Sequence, residues 1–309
     1  MSTLFEGYRT STSKRNDWFQ VILRRLIEKF LKKNSNRLLN DNVPQIFIVS
    51  QDHISNRVLL NGIYERDHLD LAIAFLKHNG KIFGSMVDAG ANIGNHSLYF
   101  SKHYANVYSF EPNPKLFKIL CANSELVKNI KCFDVGLSDK QDEEILHIIS
   151  KYNLGEASVD PQTELDAGLF YKINMNRLDQ QHDVLSDKIG LIKIDVENYE
   201  NNVLIGSYGI LNRDSPIIFF EQHAYDFPES GEDSLSIKTL KKMGYVNFYE
   251  IDIFPRFKSI KCKTLRNIIE HIIRSIWGYK YNIVKVNNFD RRFYSFIIAS
   301  KDELTANVT

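Results

Sequence analysis

The residues able to do chemistry gather in four short stretches. "VDAGANIGNHSLYF", residues 87–100, sets Asp88, Gly90, Ala91, Asn92 and Gly94 at a turn between an apolar run and a helix-compatible segment. Its glycines permit a tight turn close to a ligand, and the helix expected from Asn95 or His96 begins with unpaired backbone N–H groups. "VYSFEPNP" brings Glu111 and Pro112 to the end of the next apolar run. Glu111 lies about 20 residues past the turn, the spacing at which an acid meets the two ribose hydroxyls of an adenosine-type cofactor. "KIDVENYE" and "FFEQH" then supply Asp195, Glu197, Glu200, Glu221 and His223 near the ends of two further runs. A base there can take the proton of an attacking hydroxyl, an effect of about 10²–10⁴ in rate.

The turn departs from a dinucleotide loop in two ways. Asn92 stands where a pyrophosphate-binding turn needs its middle glycine, and Asp88 puts a carboxylate at the lip, where it repels phosphate. An NAD-dependent oxidoreductase shares the acid and the layout but needs that glycine. A Walker loop is excluded by the missing Gly-Lys-Ser/Thr end. S-adenosylmethionine, an adenosine with a sulfonium and an amino-acid tail but no phosphate, fits both departures.

Apolar runs at 83–89, 107–110, 130–135, 191–196 and 217–220, each followed by a helix-compatible segment or an insertion, should position these stretches. That alternation indicates a parallel sheet covered on both faces. The ligand then lies beyond the carboxyl ends of the strands. Helices are expected from Trp18 to Leu31 and from Asp67 to His78, with "NSNRLLNDNVPQ" as a linker between them. The stretch 139–182 reads as an inserted hairpin or loop region, and "YVNFYEIDIF" and "RRFYSFIIASK" read as a closing antiparallel pair. Alternation puts Asp195 with Glu197 on one side if the fourth strand persists, and Glu221 with His223 on one side of the fifth. Glu200 reads as a helix N-terminal acid stabilised by the dipole. Residues 1–60 form an N-terminal helical extension and linker, 61–303 the main domain with insertions near 139–182 and 255–292, and 304–309 a tail.

The chain has 309 residues, a formal net charge of +1 and 25% charged residues, so it can bury a full core and carries no global pull toward a polyanion. Cys121, Cys132 and Cys262 form neither a disulfide framework nor a zinc motif, which fits a reducing, cytoplasmic setting. The N-terminus lacks the apolar core of a signal peptide, and the internal "KDEL" is read as chance.

"VDAGANIGNHSLYF", "VYSFEPNPKLFKIL", "VGLSD", "LIKIDVENYENNVLIG" and "SPIIFFEQH" resemble, in order and spacing, the FkbM family of S-adenosylmethionine-dependent methyltransferases. The resemblance runs from about Tyr64 to about His223. It implies a class I methyltransferase fold, an α/β, doubly wound, mostly parallel seven-stranded sheet with the last strand antiparallel. It also implies O-methylation of a sugar, glycan or small natural product. By the same resemblance Asp88, Gly90, Ala91, Asn92 and Gly94 face the methionine part of the cofactor. Glu111, with Pro112 beside it, holds the ribose, and the segment 135–139, including Gly136, lies along the adenine. Family members carry a glycine after "DVE" where this chain has Asn198, so the turn there can differ in shape.

Asp195 is assigned a cofactor-binding and structural role, and Glu197 and His223 acceptor binding or proton removal. A hydrogen-bonded strand-end histidine is the alternative for His223. Tyr64 and Glu65 are candidates to cap the cofactor cleft. No metal is expected, because no compact ligand cluster appears. A catalytically silent binding or scaffolding protein of the same fold is the second reading. Two basic amphipathic segments, residues 14–37 and 256–280, need a partner for their apolar faces: the parent domain, a second subunit in a homo-oligomer, or the anionic inner face of a membrane. No nucleic-acid partner is expected, since no recognised module interleaves basic and aromatic residues.

Overall fold

The computed structural model describes residues 18–50, 52–150, 153–158, 169–254, 262, 264–265, 268–269, 272–273 and 280–306. The basic segment expected over 256–280 falls almost wholly outside them. The chain begins with helices α1 (Trp18–Asn40), α2 (His53–Asn61) and α3 (Arg66–His78). Strand β1 (Ser85–Ala89), α4 (Asn95–Phe100), β2 (Val107–Phe110), α5 (Pro114–Ser124) and β3 (Ile130–Phe133) follow. Four strands then fill the insertion: β4 (Gly136–Leu137), β5 (Asp142–Ser150), β6 (Asn153–Ser158) and β7 (Leu169–Asn176). The remainder is α6 (His182–Leu185), β8 (Ile189–Ile194), α7 (Glu200–Gly206), α8 (Tyr208–Asp214), β9 (Ile217–Gln222), α9 (Leu235–Lys242), β10 (Asn247–Phe254), β11 (Lys280–Val286) and β12 (Tyr294–Ser300).

The main sheet runs β11-β10-β12-β9-β8-β1-β2-β3. Strands β3, β2, β1, β8 and β9 are mutually parallel, and β12 enters antiparallel between β9 and β10. This is the expected doubly wound sheet with a reversed last strand. An eighth strand, β11, extends the edge antiparallel to β10. The sheet turns back at β1, whose neighbours are β2 and β8, so ligands belong at the carboxyl ends of these three strands.

Side chains alternate between the two buried faces. Val87, Ala89, Tyr108, Phe110, Ile192, Ile194 and Phe220 pack on one, and Met86, Val107, Leu191, Ile217 and Phe219 on the other with Phe75 and Phe100. Register places Asp88 of β1 between Ser109 of β2 and Lys193 of β8. A polar stripe therefore crosses the second, otherwise apolar face.

The insertion is a second, four-stranded sheet of order β4-β7-β5-β6, more than the hairpin or loop expected. Helix α1 continues through the expected linker to Asn40, because Asn34 caps the end of α2 by donating to the carbonyls of Leu59 (3.3 Å) and Leu60 (2.7 Å). No residue of α1 is buried, and Trp18, Phe19, Leu26 and Phe30 are exposed, so among the described residues its apolar face is not covered by the parent domain. Leu304, assigned to the tail by sequence, is buried, and its backbone is bonded at both N–H and carbonyl to the Tyr249 hydroxyl. No helix among the described residues is long and apolar enough to cross a membrane.

Candidate functional site

A cleft opens at the carboxyl ends of β1, β2 and β8 and is lined by Gly90, Asn92, Glu111, Pro112, Gly136, Asp195 and Glu197. Sequence-selected residues from four separate stretches thus meet in one place. Glu111 is buried in its wall, and each carboxylate oxygen accepts one backbone N–H: Oε2 from Asn92 at 2.8 Å and Oε1 from Asn113 at 2.9 Å. The spare lone pair on each oxygen leaves room for a second donor. Burial pushes its pKa up to about 7, against the pull of the Asn113 and Asn92 N–H groups.

The glycine turn spends its donors inside the protein. Gly90 N and Ala91 N both donate to the Phe110 carbonyl at 3.0 Å, and Asn92 N donates to Glu111. Ile93 N donates to Asn92 Oδ1 and Gly94 N to the Ala91 carbonyl, both at 2.8 Å. A pyrophosphate-binding turn would present these groups to its ligand. Gly90, at φ +76°, has no room for a side chain, since a Cβ would lie 1.9 Å from the Asp195 carbonyl oxygen. Gly94 and Ala91 do not line the cleft; Gly94, at φ +86°, lets α4 close on Leu120.

Asp88 is not at the lip. It is fully buried beneath the turn, where Oδ2 accepts from the Ser97 hydroxyl at 2.6 Å and Oδ1 faces Lys193 Nζ at 3.0 Å. Register explains the correction: the β1 position paired with Lys193 points into the second core face, away from the cleft. Lys193 also donates to the Gly90 carbonyl at 2.9 Å and lies 3.2 Å from Asp195 Oδ2. Burial works against its charge, but Asp195 and Asp88 hold its pKa above the usual lysine value. Sequence reasoning missed this residue, although a lysine inside "LIKI" was the one break in a strand of otherwise buried apolar residues.

The cleft also has apolar lining from Phe110, Leu137, Leu146, Ile173 and Met175. The last four come from the inserted sheet, whose strand β4 also carries Gly136, so that sheet forms one wall of the cleft. Their pattern gave no signal, because apolar residues alternating in a strand read equally well as core.

Residues 88–246, more than half of the chain, match the family described as the methyltransferase FkbM domain. The chain belongs to the FkbM methyltransferase family. Among solved structures, a methyltransferase FkbM from Methylobacillus flagellatus KT aligns at 15% identity and a TM-score of 0.35, over 70% of this chain and 43% of that chain. The chain thus spans less than half the length of that relative. Magnesium protoporphyrin IX methyltransferase from Synechocystis PCC 6803, with bound SAM, aligns at 8% identity and a TM-score of 0.38, over 90% of this chain and 96% of that one. Precorrin-6y C5,15-methyltransferase from Geobacter metallireducens GS-15 aligns at 12% identity and a TM-score of 0.38, over 75% and 88%. No curated protein matches the chain in sequence.

The departure from the FkbM "DVEG" pattern keeps the backbone shape that glycine favours. Asn198 has φ +65°, in the left-handed region where asparagine is the best tolerated substitute. Strand β8 stops at Ile194, so Asp195 and Glu197 lie in the connection to α7 and share no strand face; both nonetheless line the cleft. Asp195 is half-exposed. Burial opposes its ionisation, yet Lys193, His96 and His223 outweigh this and keep its pKa below the usual carboxylate range.

Asp195 also borders a small cavity lined by Glu65, Lys193, Glu221, Ser295 and Phe296. Glu221 Oε1 lies 3.1 Å from His223 Nε2, as strand alternation suggested, although His223 itself falls just past β9. The His223 ring stacks on Tyr225 with centroids 4.8 Å apart, while its backbone N–H donates to Asp226 Oδ2 at 2.6 Å and its carbonyl accepts the Asp226 N–H at 3.1 Å. Burial, then the carboxylates of Asp195, Glu65 and Glu197, push the Glu221 pKa up to about 9. Tyr64 and Glu65 are held against α4 by reciprocal bonds between the Tyr64 backbone and the Asn95 amide, with Tyr64 stacked on His96 and Glu65 3.5 Å from His96 Nε2. Glu200 occupies the first turn of α7 as expected, and burial raises its pKa to about 9. Among the described residues no group of three or more His, Cys, Asp or Glu could hold a metal ion.

Proposed function

We propose that the protein is an S-adenosylmethionine-dependent O-methyltransferase acting on a hydroxyl of a sugar, glycan or small natural product. One observation carries the cofactor assignment. All five backbone N–H groups of residues 90–94 are satisfied within the protein, while Glu111 stands in the cleft with acceptor capacity to spare. This site has an acid for a ribose diol and no free turn donors for a pyrophosphate, which disfavours the NAD-dependent alternative.

S-adenosylmethionine supplies an electrophilic methyl group on a sulfonium. Glu111 accepts the ribose hydroxyls, and Leu137, Leu146 and Met175 enclose the adenine. Asp195, kept ionised by Lys193, receives the ammonium of the amino-acid tail. Asp195 borders both the cleft and the small cavity, so the acceptor hydroxyl belongs on the Glu221 side. His223 Nε2 lies 3.1 Å from Glu221 Oε1, within reach to hold that carboxylate by donating to it. Proton removal, expected from the sequence at Glu197 or His223, is thereby assigned to the Glu221 carboxylate, with His223 as its positioning partner and Glu197 at the acceptor's edge of the cleft. The raised pKa of Glu221 makes its ionised form a stronger base.

Transfer of labelled methyl groups to a panel of glycans tests the reading. Wild-type protein should label a hydroxyl acceptor, and Glu221→Gln should lower kcat by about 10²–10⁴ with cofactor affinity unchanged. Wild-type kcat in Glu221→Gln would remove Glu221 from the proton path.

A further inference from the structure

A second cavity of about 700 Å³ lies outside the cofactor cleft, between α1, α2, the start of α3 and β11. It is joined to the cleft by shared residues. Asp195 lines both the cleft and the small cavity, and Glu65 lines both the small cavity and this larger one. Tyr64, on its wall, feels the charges of Asp195, Glu221 and Arg57. The larger cavity therefore opens toward the proton-accepting end of the site, away from the ribose acid.

Its cations are unevenly neutralised. Arg66 lies 3.5 Å from Asp70, but among the described residues Arg37 and Arg57 have no carboxylate within 4.0 Å. Arg37 is steered by Asn34 Oδ1 at 2.9 Å, the same Asn34 whose amide holds the end of α2. Of the carboxylates lining the cavity, Asp67 sits in the first turn of α3, where the helix dipole favours it, and Asp70 is engaged by Arg66 and the Tyr99 hydroxyl. Glu65 faces His96, and Asp41 remains as an acceptor for a ligand hydroxyl. Two guanidinium groups from facing helices, each able to grip an anion with paired donors, define the ligand's chemistry.

We propose that this cavity, built largely by the N-terminal helices, is the acceptor site and takes a hydroxyl-rich molecule bearing a phosphate or carboxylate, read by Arg57 and Arg37. The assignment rests on the methyltransferase reading for the word acceptor, but not for the binding itself.

Glucose 6-phosphate, glucuronate and glucose serve as probes in ligand-observed NMR titrations of the full chain, with and without S-adenosylhomocysteine. At least one anionic probe should bind, about tenfold or more tighter than glucose. Phosphate and carboxylate arms separate the two sources of charge. Arg57→Glu should erase the preference while S-adenosylhomocysteine still binds with wild-type affinity, which shows that the variant is folded. Glucose binding as well as both anions, no probe binding, or a preference that survives Arg57→Glu overturns the proposal. Failure of wild-type protein to bind S-adenosylhomocysteine would instead strike the methyltransferase reading, and the titrations without cofactor would still report on this cavity.

Discussion

Lys193 Nζ lies 3.0 Å from Asp88 Oδ1 inside the sheet, with both side chains excluded from solvent. The pair ties β8 to β1 directly beneath the glycine turn, and the same ammonium holds the Gly90 carbonyl and Asp195. Removing one partner leaves the other as an uncompensated buried charge. Lys193→Met should therefore destabilise the fold by about 3–5 kcal/mol, whereas adding Asp88→Asn should recover a large part of that loss. Urea denaturation of the two single variants and the double checks it; additive losses would show that the pair is not coupled.

Glu111 gives the site a pH dependence whose sign is fixed by its environment. Its folded pKa of about 7 lies above the ordinary 4.5. The proton bound on folding therefore stabilises the apoprotein below about pH 4.5, and that contribution disappears as pH rises through about 7. Ribose binding runs the other way, because the ionised carboxylate is the acceptor. Adenosine, which carries no group titrating between about pH 5 and 9, should bind more tightly as pH rises across that range, and Glu111→Gln should bind weakly and flatly. A pH-independent wild-type affinity contradicts the role given to Glu111.

Asn198 tests whether the turn after β8 needs glycine-like backbone. With φ at +65°, Asn198→Gly should retain activity and change stability by no more than about 0.5 kcal/mol, while Asn198→Val should lose about 1–2 kcal/mol. Thermal melts and methyl-transfer rates of both variants decide it. A valine variant as stable as wild type would show that the turn relaxes.

Gly90 is more constrained. A methyl there meets the Asp195 carbonyl oxygen at 1.9 Å, so Gly90→Ala must push the β1 turn off β8. It should destabilise by roughly 1–3 kcal/mol or more and weaken cofactor binding disproportionately, as compared by calorimetry with a core variant of equal stability loss. Equal affinity in the two would mean that the turn is not part of the binding surface.

What the sequence disclosed follows the range of the interactions involved. The glycine turn and Glu111 were legible because strand, turn and acid fall within one short unit whose spacing reflects direct contact. Lys193 and Asp88 were not paired in advance, since their contact depends on which strands become neighbours, and Asp88 was read as a cleft residue for want of that register. The shared face assumed for Asp195 and Glu197 failed because nothing local marks the end of β8 at Ile194. The inserted sheet was visible only as a break in the strand-helix rhythm, and Leu146, Ile173 and Met175 reach the cleft through a separate sheet whose docking no periodicity encodes. The edge strand β11 follows a stretch that resembles a helix, which hid it.

An adenosine cofactor without phosphate is the ligand proposed for the cleft. Isothermal titration of the full chain with S-adenosylhomocysteine, and in parallel with NAD, tests it most directly. S-adenosylhomocysteine should bind saturably and one-to-one, with binding abolished or strongly weakened in Glu111→Ala, and NAD should not bind. Folded protein that ignores S-adenosylhomocysteine, or that binds NAD instead, would contradict it.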